Sequence, residues 1–590
     1  MHNSRRFVRM FMALAVITGA FAVLALSSSG ALAQAHSTDH GETRYVMTAS
    51  GTWGAAQEAA IERAGGTVEF RHAASGIGVA YSGDPVFLRR AMRSGLFGPS
   101  AADVTVQWQD PAHEQAYGED LTGGPVTPGD ETYINLQWNM TAIDAFGAWS
   151  LGYDGAGVRV AVIDGGMCAT HLDLDANIDA AASRSFVPGF LYSDDVAGFR
   201  HACHVAGIIA AEDNGLGTIG VAPKATIVAC KALHAGSGSF GAVIEAILYA
   251  ADPPAMGGGG ADIINMSLGA TFAMGGGNTG TGALVAALAR AVNHATNRGV
   301  LVVASAGGGE LDLDHTGPIV VVPAQSGSAL AISATGPVGY AVGYPNGATN
   351  FRRPASTTNF GRSTIWVAAP GGDFVLPGNS TCSIPTVPAG SVTSFCWVFD
   401  MIFSPSAGTG SYAFAAGTSM AAAHVSGVAA LIRQKDPGIS VGDLKSRLAQ
   451  TADDEGETGT DPYYGHGFVN ARRAVTGGAT PSAGPAAGDA SPKTPAGAAR
   501  VELVFARNAG RSTPSISFTL PFAGPARVDL FDLSGRKVAE LYRGHAAAGR
   551  TTLAWNGRDA SGQQLRRGAY FARITAGDVK AARQLILLGE

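Results

Sequence analysis

The sequence predicts an α/β protein. A mostly parallel sheet with helices on both faces is preceded by a ferredoxin-like α+β unit and followed by an antiparallel β-sandwich. Three observations carry this expectation. Residues 133–475 alternate continuous apolar runs (VRVAVID, TIVACKAL, DIINMSL, VLVVASA) with helical patterns such as GAVIEAILYAA and GTSMAAAHVSGVAALIRQ, as strands buried on both faces require. Residues 44–110 read strand, helix, strand, strand, helix, strand, with DVTVQW as the last strand, the order of a ferredoxin-like sandwich. In residues 500–590, ISFTL, RVDLFDL, TTLAW and YFARIT alternate apolar and polar positions between turn signals such as SGR, NGRD and AGD, which fits a small antiparallel sandwich.

Bulk properties agree. The chain has 590 residues, enough for several domains. With 46% apolar and 15% charged residues, it has ample core material and is not a disordered chain. A net charge of −6 argues against nucleic acid as a partner. The 81 glycines show no G-X-Y period, so they serve turns and not a collagen helix.

At the N-terminus, Arg5, Arg6 and Arg9 precede an apolar stretch over 10–26 and the small-residue run Ala31-Leu32-Ala33. That is the pattern of a signal peptide over 1–33, so the protein is expected to be secreted or extracellular. No later run is apolar and long enough to span a membrane. Residues 111–132 turn polar and rich in Gly, Pro and Thr, and read as a linker or processing region. Residues 476–499 lack aromatic and large aliphatic side chains and read as a second linker. Of the five cysteines, Cys382 and Cys396 flank a short polar loop and are the expected disulfide. Cys168 and Cys203 either pair or are small buried residues.

Three segments carry chemistry. Asp164 ends an apolar strand in VAVIDGG, His201 opens the helical run HACHVAGIIAA, and Ser419 follows Gly417-Thr418 at another helix start. A serine hydroxyl is a weak nucleophile at neutral pH. It needs a base for its proton, and the base needs an acid to fix its tautomer and stabilise its charge. A helix start at Ser419 also aims a backbone N–H at a developing oxyanion.

In their order and surroundings these segments resemble the subtilisin-like serine peptidases. GVAP at 220–223, INMSLG at 264–269, WVAAPG at 366–371 and YGHGFVNARRA at 464–474 extend the likeness in the same order. The resemblance implies that Asp164 orients, His201 acts as base and acid, Ser419 attacks the peptide carbonyl, and His204 is structural. It implies that Ser267, Leu268 and Gly269 pair with the substrate backbone and wall the S1 pocket. Ala304, Ser305, Ala306 and Gly307 form the opposite wall. These small residues would admit large apolar P1 side chains. The substrates are proteins or peptides, and the chemistry needs no cofactor. The resemblance also implies a structural calcium site at Asp173, Asn214 and the carbonyls of Leu216 and Thr218, with a plain polar surface loop as the alternative.

The family places an Asn after the second wall, and its side chain donates to the oxyanion. Gly308 stands there instead. Losing one such donor costs about 100- to 1000-fold in turnover in a subtilisin. Ala423 replaces a usual Pro, and Cys203 a usual Thr.

The 44–110 unit is similar to the inhibitory propeptide of secreted subtilases. Its C-terminal end would occupy the cleft until cut, making the propeptide an intramolecular inhibitor. The 500–590 unit is similar to Ig-like C-terminal modules. Some of these are sorting signals, so secretion machinery or a cell surface is the partner it implies. The rival readings are a binding protein on an impaired subtilase fold, prompted by Gly308, and a surface adhesin. The intact Asp164, His201 and Ser419 set speaks against the first, and deletion of 476–590 discriminates the second.

Overall fold

The computed structural model describes residues 42–108 and 131–478, apart from 197, 275–278, 348–349 and 388, together with strands at 34–35 and 113–117 and most of 502–587. The signal peptide expected at 1–33 and most of the linkers expected at 111–132 and 476–499 lie outside the described residues. The chain divides into a larger unit, 29–483, and a unit built on 484–590.

Seven parallel strands form the central sheet of the larger unit. From one edge they run Ile365–Pro370, Leu330–Thr335, Leu301–Ser305, Ile263–Met266, Arg159–Asp164, Thr226–Lys231 and Arg184–Ser185. Period-2 alternation explains why the strand sequences are apolar throughout. In Arg159–Asp164, Val160 and Val162 enter the core under helices His201–Ala210 and Thr418–Lys435. Ala161 and Ile163 enter the opposite core under Phe240–Ala251 and Thr279–Asn297. A strand that feeds two cores has no polar face, which is the physical content of the parallel-sheet expectation.

The N-terminal unit has the expected order: Thr43–Thr48, helix Ala55–Ala64, Thr67–His72, Ile77–Ser82, helix Phe87–Met92, Ala101–Ala102. Its antiparallel sheet runs Thr67–His72, Ile77–Ser82, Thr43–Thr48, Ala101–Ala102. One detail differs from the expectation. The short strand Ala101–Ala102 closes this sheet, while DVTVQW leaves it. Val104–Gln107 pairs instead with Ser237–Ser239 of the large domain, because Val106 and Trp108 are buried in that domain's core. A second difference falls in the expected linker. His113–Tyr117 is a strand, antiparallel to Tyr412–Ala416. A polar, Gly-rich composition does not reveal pairing to an edge that lies about 300 residues away in sequence.

The unit built on 484–590 has two antiparallel sheets. One runs Glu502–Ala506, Ser515–Leu520, Gly549–Ala554; the other runs Lys537–Ala546, Gly524–Phe531, Gly568–Ala576, Val579–Leu587. Phe518, Val528, Leu530 and Ile574 are buried in its core.

Candidate active site

Sheets of this kind present their ligand sites at the carboxyl ends of the strands, and the sequence-predicted residues are at those ends. Asp164 is the last residue of its strand and is almost fully buried. Its Oδ1 accepts from the Gly165 N–H at 2.6 Å. Its Oδ2 lies 2.8 Å from Nδ1 of His201, the first residue of helix His201–Ala210. A carboxylate at Nδ1 places the imidazole proton there and leaves the Nε2 lone pair for a proton acceptor's role. A disulfide joins Cys168, four residues past Asp164, to Cys203, two past His201, with Cα atoms 5.6 Å apart. The loop after Asp164 is thus tied covalently to the helix that begins at His201. The expected Cys382–Cys396 bond is also present and links the hairpin Thr381–Pro385/Ser391–Phe395 to its exit.

Ser419 is the second residue of helix Thr418–Lys435. Its hydroxyl donates to the Ser267 carbonyl at 3.2 Å, and the Ser267 hydroxyl donates to the Ser419 carbonyl at 2.7 Å. Asn265 continues the chain inward: its amide donates to Ser267 Oγ at 2.9 Å and accepts from the Ser426 hydroxyl at 2.8 Å. The helix bearing Ser419 is therefore fastened to the strand end that leads into Ser267-Leu268-Gly269. The two predicted pocket walls are neighbours for a simple reason. Ile263–Met266 and Leu301–Ser305 are adjacent parallel strands, and the Ser305 hydroxyl reaches the Leu268 carbonyl at 3.3 Å. His204 is fully buried, and its Nε2 donates to the carbonyls of Ile402 and Ala413 at 3.1 Å each. Burial, and then the neighbouring His201, push its pKa down to about 3. It is a neutral structural residue.

The loop after the second wall holds Gly308. Its organiser is Asn359, which the sequence did not single out. The Asn359 amide donates to the Ala306 carbonyl at 2.7 Å and accepts from the N–H groups of Gly309 and Leu311 at 2.9 and 2.8 Å. Its own N–H donates to the Gly307 carbonyl at 2.9 Å. Gly307 in turn donates to Thr418 Oγ1 at 3.0 Å, the residue before Ser419. Gly307 is left-handed, with φ +94°, and a Cβ there would meet Asn359 Nδ2 at 2.6 Å, so no other residue fits without displacing that amide. Gly308 is different. It lies outside the left-handed region, and a Cβ would find only the Thr357 carbonyl oxygen, 3.9 Å away.

The strand Val104–Gln107 and Trp108 run from the N-terminal unit onto the large domain. Trp108 donates its N–H to the Gly236 carbonyl at 3.0 Å, and its carbonyl accepts the Gly269 N–H at 2.7 Å. The indole Nε1 donates to the Gly238 carbonyl at 2.8 Å, and the ring packs edge-on against Phe240 at 4.9 Å. It is fully buried. An extended segment thus adds a strand to Ser237–Ser239 and makes one main-chain bond to the predicted substrate-pairing residue Gly269, as in main-chain recognition of a peptide. Arg44 secures the rest of the unit through ion pairs to Asp103 at 2.7 Å and to Glu245 of the large domain at 2.5 Å.

Around the predicted calcium loop, Asp173 Oδ2 accepts from the Thr218 N–H and hydroxyl at 2.9 Å each, while its buried Oδ1 has no hydrogen-bond partner. Burial holds the Asp173 carboxyl well above the usual carboxylate range. Asn214 braces the loop: its Oδ1 accepts from the Leu216 N–H at 2.9 Å and its Nδ2 donates to the Leu172 carbonyl at 3.0 Å. Glu131, not anticipated from the sequence, is buried beside the same loop with both oxygens unpartnered. Burial, then neighbouring Asp213, push its carboxyl up to about 7. Buried carboxylate oxygens without partners are the chemistry an oxygen-seeking cation satisfies.

A doubly wound parallel sheet that carries an Asp–His pair and a helix-start serine at its strand ends defines a serine hydrolase. Comparison with known proteins narrows this. Residues 155–467 match the subtilase family, and residues 506–579 match the FlgD Ig-like domain. Over 342 residues, 58% of this chain, it is 34% identical to subtilisin Savinase from Lederbergia lenta, covering 99% of that protein. Thermitase from Thermoactinomyces vulgaris is 32% identical over 355 residues, 59% of this chain and 99% of thermitase. In fold, the chain is similar to the epidermin leader peptide processing serine protease from Staphylococcus aureus, with a TM-score of 0.56 and 20% identity over 74% of this chain and 98% of that one. The chain belongs to the subtilase family and is a serine-type endopeptidase.

Proposed function

We propose that this peptidase is secreted as an inhibited precursor and hydrolyses peptide bonds through an acyl-enzyme on Ser419. His201 takes the serine proton at Nε2 and returns it to the leaving amine, while Asp164 holds Nδ1–H and balances the imidazolium. The observation that carries this reading is the 2.8 Å contact between Asp164 Oδ2 and His201 Nδ1, at the same edge as the Ser419 helix start. The Ser419 N–H at that helix start is the remaining oxyanion donor. A fluorophosphonate probe should label the peptide containing Ser419, and label on any other residue would refute the assignment. Secretion rests on the signal-like segment at 1–33; among the described residues, no helix is long and apolar enough to cross a membrane.

The unit over 44–110 acts as the inhibitor, with Trp108 as its anchor. Burial of a Trp side chain contributes about 3–5 kcal/mol. Trp108→Ala should therefore weaken retention of the cleaved unit by about 100- to 4000-fold. The lag between self-cleavage and full activity should shorten accordingly, and an unchanged lag would remove Trp108 from this role. Small walls at Ser267, Gly269, Ala304 and Gly307 admit large apolar P1 side chains. A peptide-library profile demanding Arg or Lys at P1 would contradict that preference.

Calcium is commonly structural in the family, and the residues here fit it. Asp173 Oδ1 and the Glu131 carboxylate would supply oxygens, with the carbonyls of Leu216 and Thr218 completing the set. The ion would stabilise the fold and take no part in the chemistry. A ligand present at 1000 times its dissociation constant stabilises by about 4 kcal/mol. Calcium added to the metal-free chain should thus raise the melting temperature by several degrees, and Asp173→Asn should abolish the response. A wild-type melting curve indifferent to added calcium would rule the site out.

The C-terminal unit is proposed to engage secretion machinery or a cell surface. Proteolysis in solution that survives deletion of 476–590 would fit this role.

A further inference from the structure

Away from the cleft, three side chains from three elements converge where the N-terminal unit meets the large domain. His72 ends the strand Thr67–His72, Asp252 caps the C-terminus of helix Phe240–Ala251, and His294 lies in the last turn of helix Thr279–Asn297. His72 Nε2 is 2.8 Å from Asp252 Oδ2, and His294 Nε2 is 3.3 Å from Asp252 Oδ1. One potential ligand atom from each lies within 4.8 Å of the others. The side chains are only 10–12% exposed. The two imidazoles meet edge-on, with centroids 4.7 Å apart, so both Nε2 atoms face the same carboxylate.

We propose that His72, Asp252 and His294 form a binding site for a divalent transition-metal ion of the zinc class, which clamps the N-terminal unit onto the peptidase domain. Two imidazole nitrogens and one carboxylate make the donor set that zinc prefers, and calcium and magnesium do not. Three protein ligands leave a fourth position for water. A groove of about 500 Å³, lined by His72, Asp252 and Met256 among others, opens beside the cluster and gives an ion its way in. The outer support is also present. Ser75 Oγ lies 2.8 Å from His72 Nδ1. Without the ion, Nδ1 accepts the Ser75 N–H at 3.1 Å and Nε2–H serves Asp252. With the ion bound, the proton moves to Nδ1, Ser75 Oγ accepts it, and the Nε2 lone pair turns to the metal. Arg298, whose Nε is 3.7 Å from Asp252 Oδ1, has a side chain 36% exposed. It withdraws to solvent when the ion takes its place. Because one ligand belongs to the N-terminal unit and two to the large domain, ion binding favours the joined state.

The test uses the full chain carrying Ser419→Ala, which stays uncut, in calcium-containing buffer. Titration with zinc sulfate in a calorimeter should show one ion per chain. Affinity should fall by at least about 100-fold in His72→Gln, which keeps a donor for Asp252 but no imidazole, and in His294→Ala. Melting curves without zinc establish that the variants are folded. Cobalt(II) should give the intense visible absorption of a four-coordinate centre, lost in His72→Gln. Failure to bind zinc, zinc affinity unchanged in both variants, or a weak six-coordinate cobalt spectrum would each overturn the proposal. None of these readouts depends on peptidase activity, so a failed clamp would leave the catalytic reading intact, and a failed catalytic reading would leave the clamp.

Discussion

Replacing Ser419 by Ala is expected to lower kcat by about 10⁶-fold, the magnitude that loss of the nucleophile produces in subtilisin itself. The fold should survive the change. The side chain gives up one 3.2 Å hydrogen bond to the Ser267 carbonyl, at about 1 kcal/mol, and alanine has the highest helix propensity. The reciprocal bond from Ser267 Oγ to the Ser419 carbonyl uses main chain at position 419 and remains. A melting temperature within a few degrees of the parent, with casein and peptide cleavage abolished, is therefore the expected pair of results. The variant should also accumulate uncut between its N-terminal unit and its peptidase domain, readable as intact mass. Residual cleavage near the parental rate would show that the nucleophile lies elsewhere, and the Asp164–His201 pair would need another partner. A folded parent that neither cleaves nor labels would instead favour the binding-protein reading, for which Gly308 is the one specific observation.

Gly308→Asn is expected to raise kcat by about 100- to 1000-fold, with KM little altered. A donor aimed at the oxyanion acts mainly in the transition state, so its gain falls on kcat and not on binding. The structure permits the substitution. Position 308 needs no left-handed backbone, and an added Cβ approaches nothing closer than 3.9 Å. The flanking main chain is already fixed by Asn359, which ties Ala306, Gly307, Gly309 and Leu311 together. Gly307 N–H, bonded to Thr418 Oγ1 at 3.0 Å, keeps the loop against the nucleophile's helix. An introduced side chain thus enters a preorganised loop. A kcat unchanged by the substitution would mean that the glycine loop already supplies its own donor. In the background of Ser419→Ala the same substitution should do nothing.

Much of this protein is written locally in its sequence. Strands such as 159–164 and 301–305 were readable because both of their faces are apolar. Asp164, His201 and Ser419 were legible because each sits where a strand ends or a helix begins, in a short motif of its own. The seven-strand order, by contrast, depends on which edges find each other. So does the fate of DVTVQW, which reads as one more strand of the N-terminal sheet and instead pairs with Ser237–Ser239 and buries Trp108 in the large domain's core. Val106 and Trp108 have equal claims on any apolar surface within reach, and only the assembled domain offers the one beside Phe240.

The sequence by itself determined most element types, the candidates Asp164, His201 and Ser419, the Cys382–Cys396 pair and the exceptional glycine at 308. Tertiary structure alone decided that Asn359 clamps the loop around that glycine, that Glu131 joins Asp173 beside one loop, and that His72 meets Asp252 and His294. It also resolved Cys168 and Cys203 into a bond. The physical reason is range. Periodicity, capping and turn chemistry act over a few residues and leave a mark in the local pattern. A contact between positions 72 and 252, or 306 and 359, exists only after folding has closed the intervening loop, and single residues of common type carry no local sign of it.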